Sequence, residues 1–571
     1  MKSNSVFRIR VISGIISFIV IVLLSKLYAI QVVSGDDFRL KAERQYLHPN
    51  ENTFNRGTIF FRNKDESVVG AAILKTGFTL SVNPKALENT EQVFEKINKI
   101  IPIDQKAFLA QAAKKDSLYA IIAKKVEEEA AKKIEALKIN GVLLYKDRYR
   151  FYPSKSLAGN VLGLVGYKGN VLAGRYGLES YYDDTLSRNS SDLYSNFFAE
   201  IFSNIKKTVN SKSKFEGDIL SAIEPTVQAF LEKELVAVED KWRSKSSGGV
   251  IMDPKNGEIY AMANYPAFDP NSFQNEKDPG IFANPIVEHV YEMGSIVKPL
   301  TLAAGLDSGT ITAESTYVDN GFLILNNSKI SNFDGKARGT VNMQTVLNES
   351  LNTGAAYVAG KMGKDIFSDY FRRFGLGEET GIDMPNETPG LIDNLRSPRD
   401  IEHATASFGQ GIAMSPIITI RAMSALANGG YLVTPHLIKQ IDYKIGVSKK
   451  ITYDKGLQVI KPETSEEISR MLVNVVDKAL LDGSVKMKNY SIAAKTGTAQ
   501  IAKEGGGGYY TDRYLHSFFG YFPAYNPKFI IFLYTLEPKG VGGDFASHTL
   551  TVPFIETTKF LINYYKIPPD R

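Results

Sequence analysis

The 571-residue chain contains no cysteine. That excludes disulfides, thiolate nucleophiles and Cys-based zinc or iron–sulfur sites. Histidine is sparse: His48, His289, His403, His436, His516 and His548 stand apart, without metal-ligand spacing. They read as ordinary surface or core side chains, and no metal or cofactor is expected. Charge of one sign is also lacking. A net charge of +6 over this length is too slight to argue for a nucleic-acid partner. Beyond the N-terminal region there is no apolar run of about 18 residues, which excludes a multi-pass membrane protein. What is present is ordinary globular composition, 43% hydrophobic and 23% charged, over a length that calls for several domains.

Residues 1–10 carry Lys2, Arg8 and Arg10 and no acid. Residues 11–33 are apolar apart from Lys26 and are long enough to cross a bilayer. The run is long for a signal-peptide core and no small-x-small cleavage site follows it, so it reads as an uncleaved anchor. The basic flank places the N-terminus in the cytoplasm. The rest is then extracytoplasmic, on a single-pass protein of the cytoplasmic membrane.

Residues 70–82 alternate like a strand, and residues 90–138, rich in Lys, Glu and Ala, have helical spacing. Residues 187–216 read as a connection, with an aromatic patch at Phe197, Phe198 and Phe202. The texture changes at about 217. Apolar strands at 249–253 and 258–264 flank Pro254-Lys-Asn-Gly257, a hairpin signal. Helices are expected from Ser295, over 342–361 and over 465–481. Three more strands are expected at 490–500, 516–522 and 528–537. Two strands early, three late and helices between predict one antiparallel sheet flanked by helices, in a multidomain α+β protein. The expected division is a tail (1–10), an anchor (11–33), an elongated mixed α/β domain (34–216) and a C-terminal domain (217–571).

The chemistry centres on Glu292-Met-Gly-Ser-Ile-Val-Lys-Pro-Leu300. Ser295 and Lys298, three residues apart, share a helix face. A neutral lysine can take the serine's proton, and burial with a nearby cation favours neutrality. The pattern alone is weak, for it recurs at Ser203–Lys206 and Ser211–Lys214 in a polar, lysine-rich connection. Lys75-Thr-Gly77 and Ser81-Val-Asn83 are similar decoys within a strand pattern. What singles out Ser295 is the order Ser295-x-x-Lys298, Ser350-Leu-Asn352, Lys495-Thr-Gly-Thr498, a set known from penicillin-binding proteins and β-lactamases. Ser295 would attack a carbonyl, with Lys298 as base. Ser350 would relay a proton to the leaving amine, and Asn352 would hold the Lys298 amine and a substrate amide. Lys495, Thr496 and Thr498 would bind a substrate carboxylate, and Gly497 would clear room for substrate along the strand edge. The N–H groups of Ser295 and Thr498 would hold the oxyanion.

The chain resembles the class B, monofunctional penicillin-binding proteins, nearest to the division type. Family-like blocks include Arg56-Gly-Thr-Ile59, Gly174-Arg-Tyr-Gly-Leu-Glu179, Met252-Asp-Pro-Lys-Asn-Gly-Glu258, Phe374-Gly-Leu-Gly377, Thr380-Gly-Ile-Asp383 and Gly409-Gln-Gly411. The resemblance implies a membrane-anchored pedestal (dimerisation-type) domain and a penicillin-binding/β-lactamase-like transpeptidase domain. It implies a serine D,D-transpeptidase acting on peptidoglycan stem peptides, with a D-Ala-D-Ala donor and an amine acceptor. β-Lactams would acylate Ser295. The glycan would be polymerised by a partner, a polytopic polymerase of the shape-elongation-division-sporulation family, alongside other division proteins. The alternatives are an elongation-type enzyme, a D,D-carboxypeptidase or β-lactamase-like hydrolase, and a non-catalytic scaffold. Three departures stand out. Phe61 replaces the family acid, with an expected weakening of a pedestal contact. The glycine run 505–508 sits where it is expected to gate the cleft. Asp544-Phe-Ala-Ser-His548 follows the family ending poorly.

Overall fold

The computed structural model describes residues 54–188 apart from 170, residues 216–571 apart from 541, and residues 18–20, 22, 23 and 26. The expected anchor and most of the 187–216 connection, with its aromatic patch and both Ser-x-x-Lys decoys, lie largely or wholly outside them. Among the described residues no helix is long and apolar enough to cross a membrane. The chain forms two compact units.

Most of the described part of the smaller unit is Leu74–Tyr149. Its helices are Thr90–Asn98, Gln105–Ala112 and Glu128–Ala136. The expectation of helical spacing across 90–138 is corrected here: Ala120–Val126 is a strand, antiparallel to the later part of the strand Val68–Val82. Its Ile121-Ile122 pair is β-branched, and the long strand offers an edge that outweighs the helix-forming composition around it. Leu80, Val82, Ile97, Phe108 and Ile134 form the core.

The larger unit comprises Arg56–Ile73, Arg150–Arg188 and Lys212–Arg571. Its main sheet is antiparallel, in the order Ala493–Ala502, Tyr509–Phe522, Phe529–Leu536, Ser246–Met252, Ile259–Tyr265. The sequence expectation of two early and three late strands is thereby met. Helices cover both faces. Pro225–Trp242 and Thr551–Tyr565 pack on one through Leu231, Phe518, Leu533 and Phe554. Lys298–Asp307, Pro416–Ala427 and Pro462–Asn474 lie over the other with Val250, Ile296, Leu300 and Phe532. The predicted helix 342–361 is two helices, Met343–Asn348 and Asn352–Met362. The break falls on Ser350, whose φ is +55°. The predicted helix 465–481 begins at Pro462 and turns into a wider π-type coil at Val475–Ala479.

A second sheet of this unit runs Ser448–Lys450, Ile438–Tyr443, Gly217–Ser221, Ile59–Arg62 and the first part of Val68–Val82. Phe61 is fully buried here in the main core, so the residue that departs from the family acid serves as packing. The neighbouring polar contact is made by other family-like blocks. Arg56 Nε donates to Glu179 Oε2 at 2.5 Å, and Arg150 Nε donates to Glu179 Oε1 at 2.5 Å. Arg56 also reaches Asp183 at 2.7 Å. Burial pushes the Glu179 carboxyl up, but Arg150 and Arg56 outweigh it and hold it below its usual range.

Removing one partner of a buried ion pair leaves an uncompensated charge, at a cost of about 3–5 kcal/mol. Glu179→Ala is therefore expected to lower the thermal unfolding midpoint markedly. The sign with pH follows from the depressed folded-state pKa. The contribution is complete above the usual carboxylate range and is lost as pH falls through the lower folded value. A wild-type midpoint in the variant at neutral pH would refute this.

Candidate active site

The main sheet and the helices over it bring the three sequence motifs together. Met293 is followed by a tight turn, Gly294–Val297, that leads into the helix Lys298–Asp307. Gly294 sits at φ +65°, and a Cβ there would lie 3.0 Å from the Thr498 carbonyl oxygen. Gly409 backs the same turn: its carbonyl accepts from Gly294 N–H at 3.1 Å, and its own Cβ would lie 2.3 Å from Gly294 O. The serine turn is thus clamped between the Lys495 strand and the Gly409-Gln-Gly411 block.

Lys298 is fully buried. Its Nζ lies 2.9 Å from Ser295 Oγ, 2.5 Å from the Ser350 carbonyl oxygen and 3.1 Å from Ser350 Oγ. Desolvation, and then the charge of Lys495, hold Lys298 well below the ordinary lysine value. A lone pair facing the Ser295 hydroxyl is what a general base requires.

Residues along the Lys495 strand alternate by face. Lys495, Gly497 and Ala499 are buried, while Thr496, Thr498 and Gln500 are half-exposed. This corrects two sequence expectations. Lys495 is only 3% exposed, and its ammonium donates to Ser350 Oγ at 3.1 Å and to the Thr496 carbonyl at 3.0 Å. Gly497 does not clear a substrate path. A Cβ there would meet Ser517 Oγ at 2.5 Å and Met293 O at 2.7 Å, behind the strand. The glycine admits the serine turn.

Ser295, Ser350, Asn352, Thr496 and Thr498 line one cleft of about 740 Å³. Thr498 Oγ1 accepts from Ala546 N–H at 3.1 Å, which leaves its own proton available to a carboxylate. Asn352 differs from expectation: its amide donates to the Ser331 carbonyl at 2.9 Å, and the Lys298 amine is held by Ser350. Sequence reasoning missed Phe333, Phe408, Gln410 and Phe545, which also line the cleft. Gln410 lay within a recognised block, whereas Phe333 and Phe545 had no local signal. The departing segment after Gly543 contributes Asp544, Phe545, Ser547 and His548 to the wall. The glycines 505–508 do not line this cleft, and a Cβ on any of them would meet nothing within 4 Å. The strand that follows them is tied to the serine turn by Tyr509, whose hydroxyl donates to Glu292 Oε2 at 2.9 Å.

Two outcomes follow from this geometry. Gly497→Ala would drive a methyl into an immobile backbone oxygen, and acylation by penicillin is expected to fall at least about tenfold. Unchanged labelling would refute the clamp. Burial lowers Lys495 to about 8, so its charge is present below that value and lost above it. The second-order acylation rate should therefore decline as pH rises through about 8. A rate that holds or climbs through that value would refute it.

The description "Penicillin binding protein transpeptidase domain" matches residues 248–554, and "Penicillin-binding Protein dimerisation domain" matches residues 53–218. Stage V sporulation protein D of Bacillus subtilis is 30% identical over 540 residues, covering 92% of this chain and 81% of that protein. A peptidoglycan D,D-transpeptidase FtsI homolog of Mesostigma viride is 27% identical, covering 96% and 94%. Among solved structures, penicillin binding protein 2X of Streptococcus thermophilus shares the fold, with a TM-score of 0.71 at 20% identity over 89% of this chain and 79% of that one. With the transpeptidase match spanning more than half its length and the dimerisation match preceding it, the chain belongs to the class B penicillin-binding proteins.

Proposed function

We infer that this peptidoglycan D,D-transpeptidase works through an acyl-enzyme on Ser295. The observation that carries the reading is the Lys298 amine, buried and 2.9 Å from Ser295 Oγ. Ser295 Oγ attacks the carbonyl between the two terminal D-alanines of a donor stem, and its proton passes to Lys298. The oxyanion is held by the N–H groups of Ser295 and Thr498, each worth about 3–4 kcal/mol in the barrier. Collapse breaks the C–N bond. The leaving D-alanine takes the proton from Lys298 through Ser350, which lies 3.1 Å from both lysine amines. An acceptor amine then attacks the ester and gives a proton to Lys298. A new amide forms and Ser295 is restored. Thr496 and Thr498, with the field of Lys495, hold the donor's terminal carboxylate. Asn352 lines the cleft, where it binds the substrate amide. Penicillin, which mimics the D-Ala-D-Ala end, binds covalently at the same serine.

The enzyme serves septal wall synthesis, a reading supported by the division-type relative FtsI homolog. Residues 11–33 anchor it, with the N-terminus in the cytoplasm. Residues 34–216 form the pedestal, and residues 217–571 form the transpeptidase domain outside. Its membrane partner is a polytopic glycan polymerase of the shape-elongation-division-sporulation family.

The test is intact-mass analysis of the full chain, extracted in detergent, with and without benzylpenicillin, followed by peptide mapping. One stable adduct on Ser295 is expected, with none in Ser295→Ala. An adduct elsewhere, or equal labelling of Ser295→Ala, would sink the assignment. Rapid release of the adduct would make the protein a hydrolase instead.

A further inference from the structure

Ser350 occupies the break between Met343–Asn348 and Asn352–Met362 in a left-handed conformation, φ +55°. For a residue with a Cβ this costs on the order of 1–2 kcal/mol, and it persists only where its surroundings over-determine it. The following helix does not supply that. Leu351, at its N-cap position, offers no capping side chain.

The Lys298 and Lys495 amines bond Ser350 itself, and one distant segment, residues 331–338, fixes the residues on both sides of it. The Ser331 carbonyl accepts from Asn352 Nδ2 at 2.9 Å. Asn332 Oδ1 accepts from the Thr353 N–H at 3.2 Å. Arg338 Nε donates to Glu349 Oε2 at 2.8 Å. Residues on both sides of Ser350 are therefore gripped. Asn332 is itself locked. Its Nδ2 donates to both carboxylate oxygens of Asp319 at 3.0 Å, so its carbonyl must face the helix. Asp319 is 1% exposed and also accepts from the Thr353 hydroxyl at 2.8 Å. Asn332, 3% exposed, is outside the cleft lining.

We propose that Asn332 is a positioning residue of the transpeptidase reaction: it caps the Asn352–Met362 helix from outside, with Asp319 fixing its amide, and so holds Ser350 where it meets both Lys298 and Lys495. This rests on the Ser295 acyl-enzyme described above. The bracket acts on the acylation step, because Ser350 orients the base and relays the proton. Its effect on non-covalent binding is the smaller one, because Thr496 and Thr498, which take the carboxylate, belong to a different element and only Asn352 among the binding groups shares the bracket.

The antiparallel hairpin Phe322–Leu325 and Ser328–Ser331, which leads into that segment, provides the control. Asn326 Oδ1 accepts from the N–H groups of Asp400 and Ile401 at 3.1 Å, capping the helix Asp400–Ala406, which bears none of the assigned catalytic residues. Asn326 has φ +47°, so Asn326→Gly removes that cap without straining the backbone.

Acylation of the full-length protein by benzylpenicillin is followed over time at several concentrations, which separates the acylation constant from the pre-covalent dissociation constant. Asn332→Ala is expected to lower the acylation constant about tenfold, with a clearly smaller change in the dissociation constant. Asn326→Gly is expected to lower the thermal midpoint by a similar amount and leave the acylation constant at wild type. Equal effects of the two variants, or a loss confined to the dissociation constant, would overturn the proposal. Should Asn332→Ala fail to fold, Thr353→Val keeps the shape and removes the hydroxyl bond to Asp319, which fixes Asn332. An acylation constant reduced about threefold supports the proposal, and a wild-type value overturns it. Wild-type protein without an adduct on Ser295 would instead sink the underlying acyl-enzyme, a separate and distinguishable result.

Discussion

Keeping water and charge away from one lysine is the constraint on which this structure depends. An amine in water is protonated at neutral pH and cannot accept a proton from serine. Full burial and the neighbouring cation Lys495 both push Lys298 toward its neutral form. Both conditions require close contact between the serine turn and the Lys495 strand. That contact is possible because Gly294 and Gly497 bring no side chains to it. The sheet supplies the rigid edge, the helix Lys298–Asp307 supplies the apolar surroundings, and Gly409 closes the turn from behind.

The catalytic centre was largely legible in the sequence because its residues are short motifs whose order is diagnostic. Residue types also announced the neutral lysine, since a second lysine near Ser-x-x-Lys has an electrostatic consequence wherever it is buried. The directions in which side chains point were less legible. Motif spacing alone did not say that Lys495 and Gly497 lie on the inner face of their strand while Thr496 and Thr498 face the cleft. That follows from the twofold alternation of the strand once its burial is known. Asn352 was assigned to the Lys298 amine, but its amide reaches Ser331 instead. That bond depends on a hairpin with no sequence signature. Phe333 and Phe545, whose rings lie 5.3 Å apart edge to face, likewise come from loops far apart in the chain.

At the level of fold, strands bounded by turn signals were readable, and the hairpin at residues 254–257 is the clearest case. The strand Ala120–Val126 was not, because its lysines and alanines suit a helix and only an available partner edge decides the matter. The break at Ser350 was also hidden. Nothing local in Glu349-Ser-Leu-Asn352 forbids a continuous helix, and the interruption is imposed by contacts from residues 331–338.

The second sheet of the larger unit has a consequence for how the chain is made. Ile59 pairs with Ile219, and Ile219 pairs in turn with Ile441, about 380 residues after the first strand. At synthesis rates of about 5–20 residues per second, the first strand waits roughly 20–80 s before the sheet that contains it can be completed. Throughout that time its apolar residues, Ile59 and Phe61, lack their final cover. This sheet cannot form as the chain emerges, piece by piece from the N-terminus. It closes late and as a whole, so the nascent protein depends on whatever shields its early strands until the last one is made.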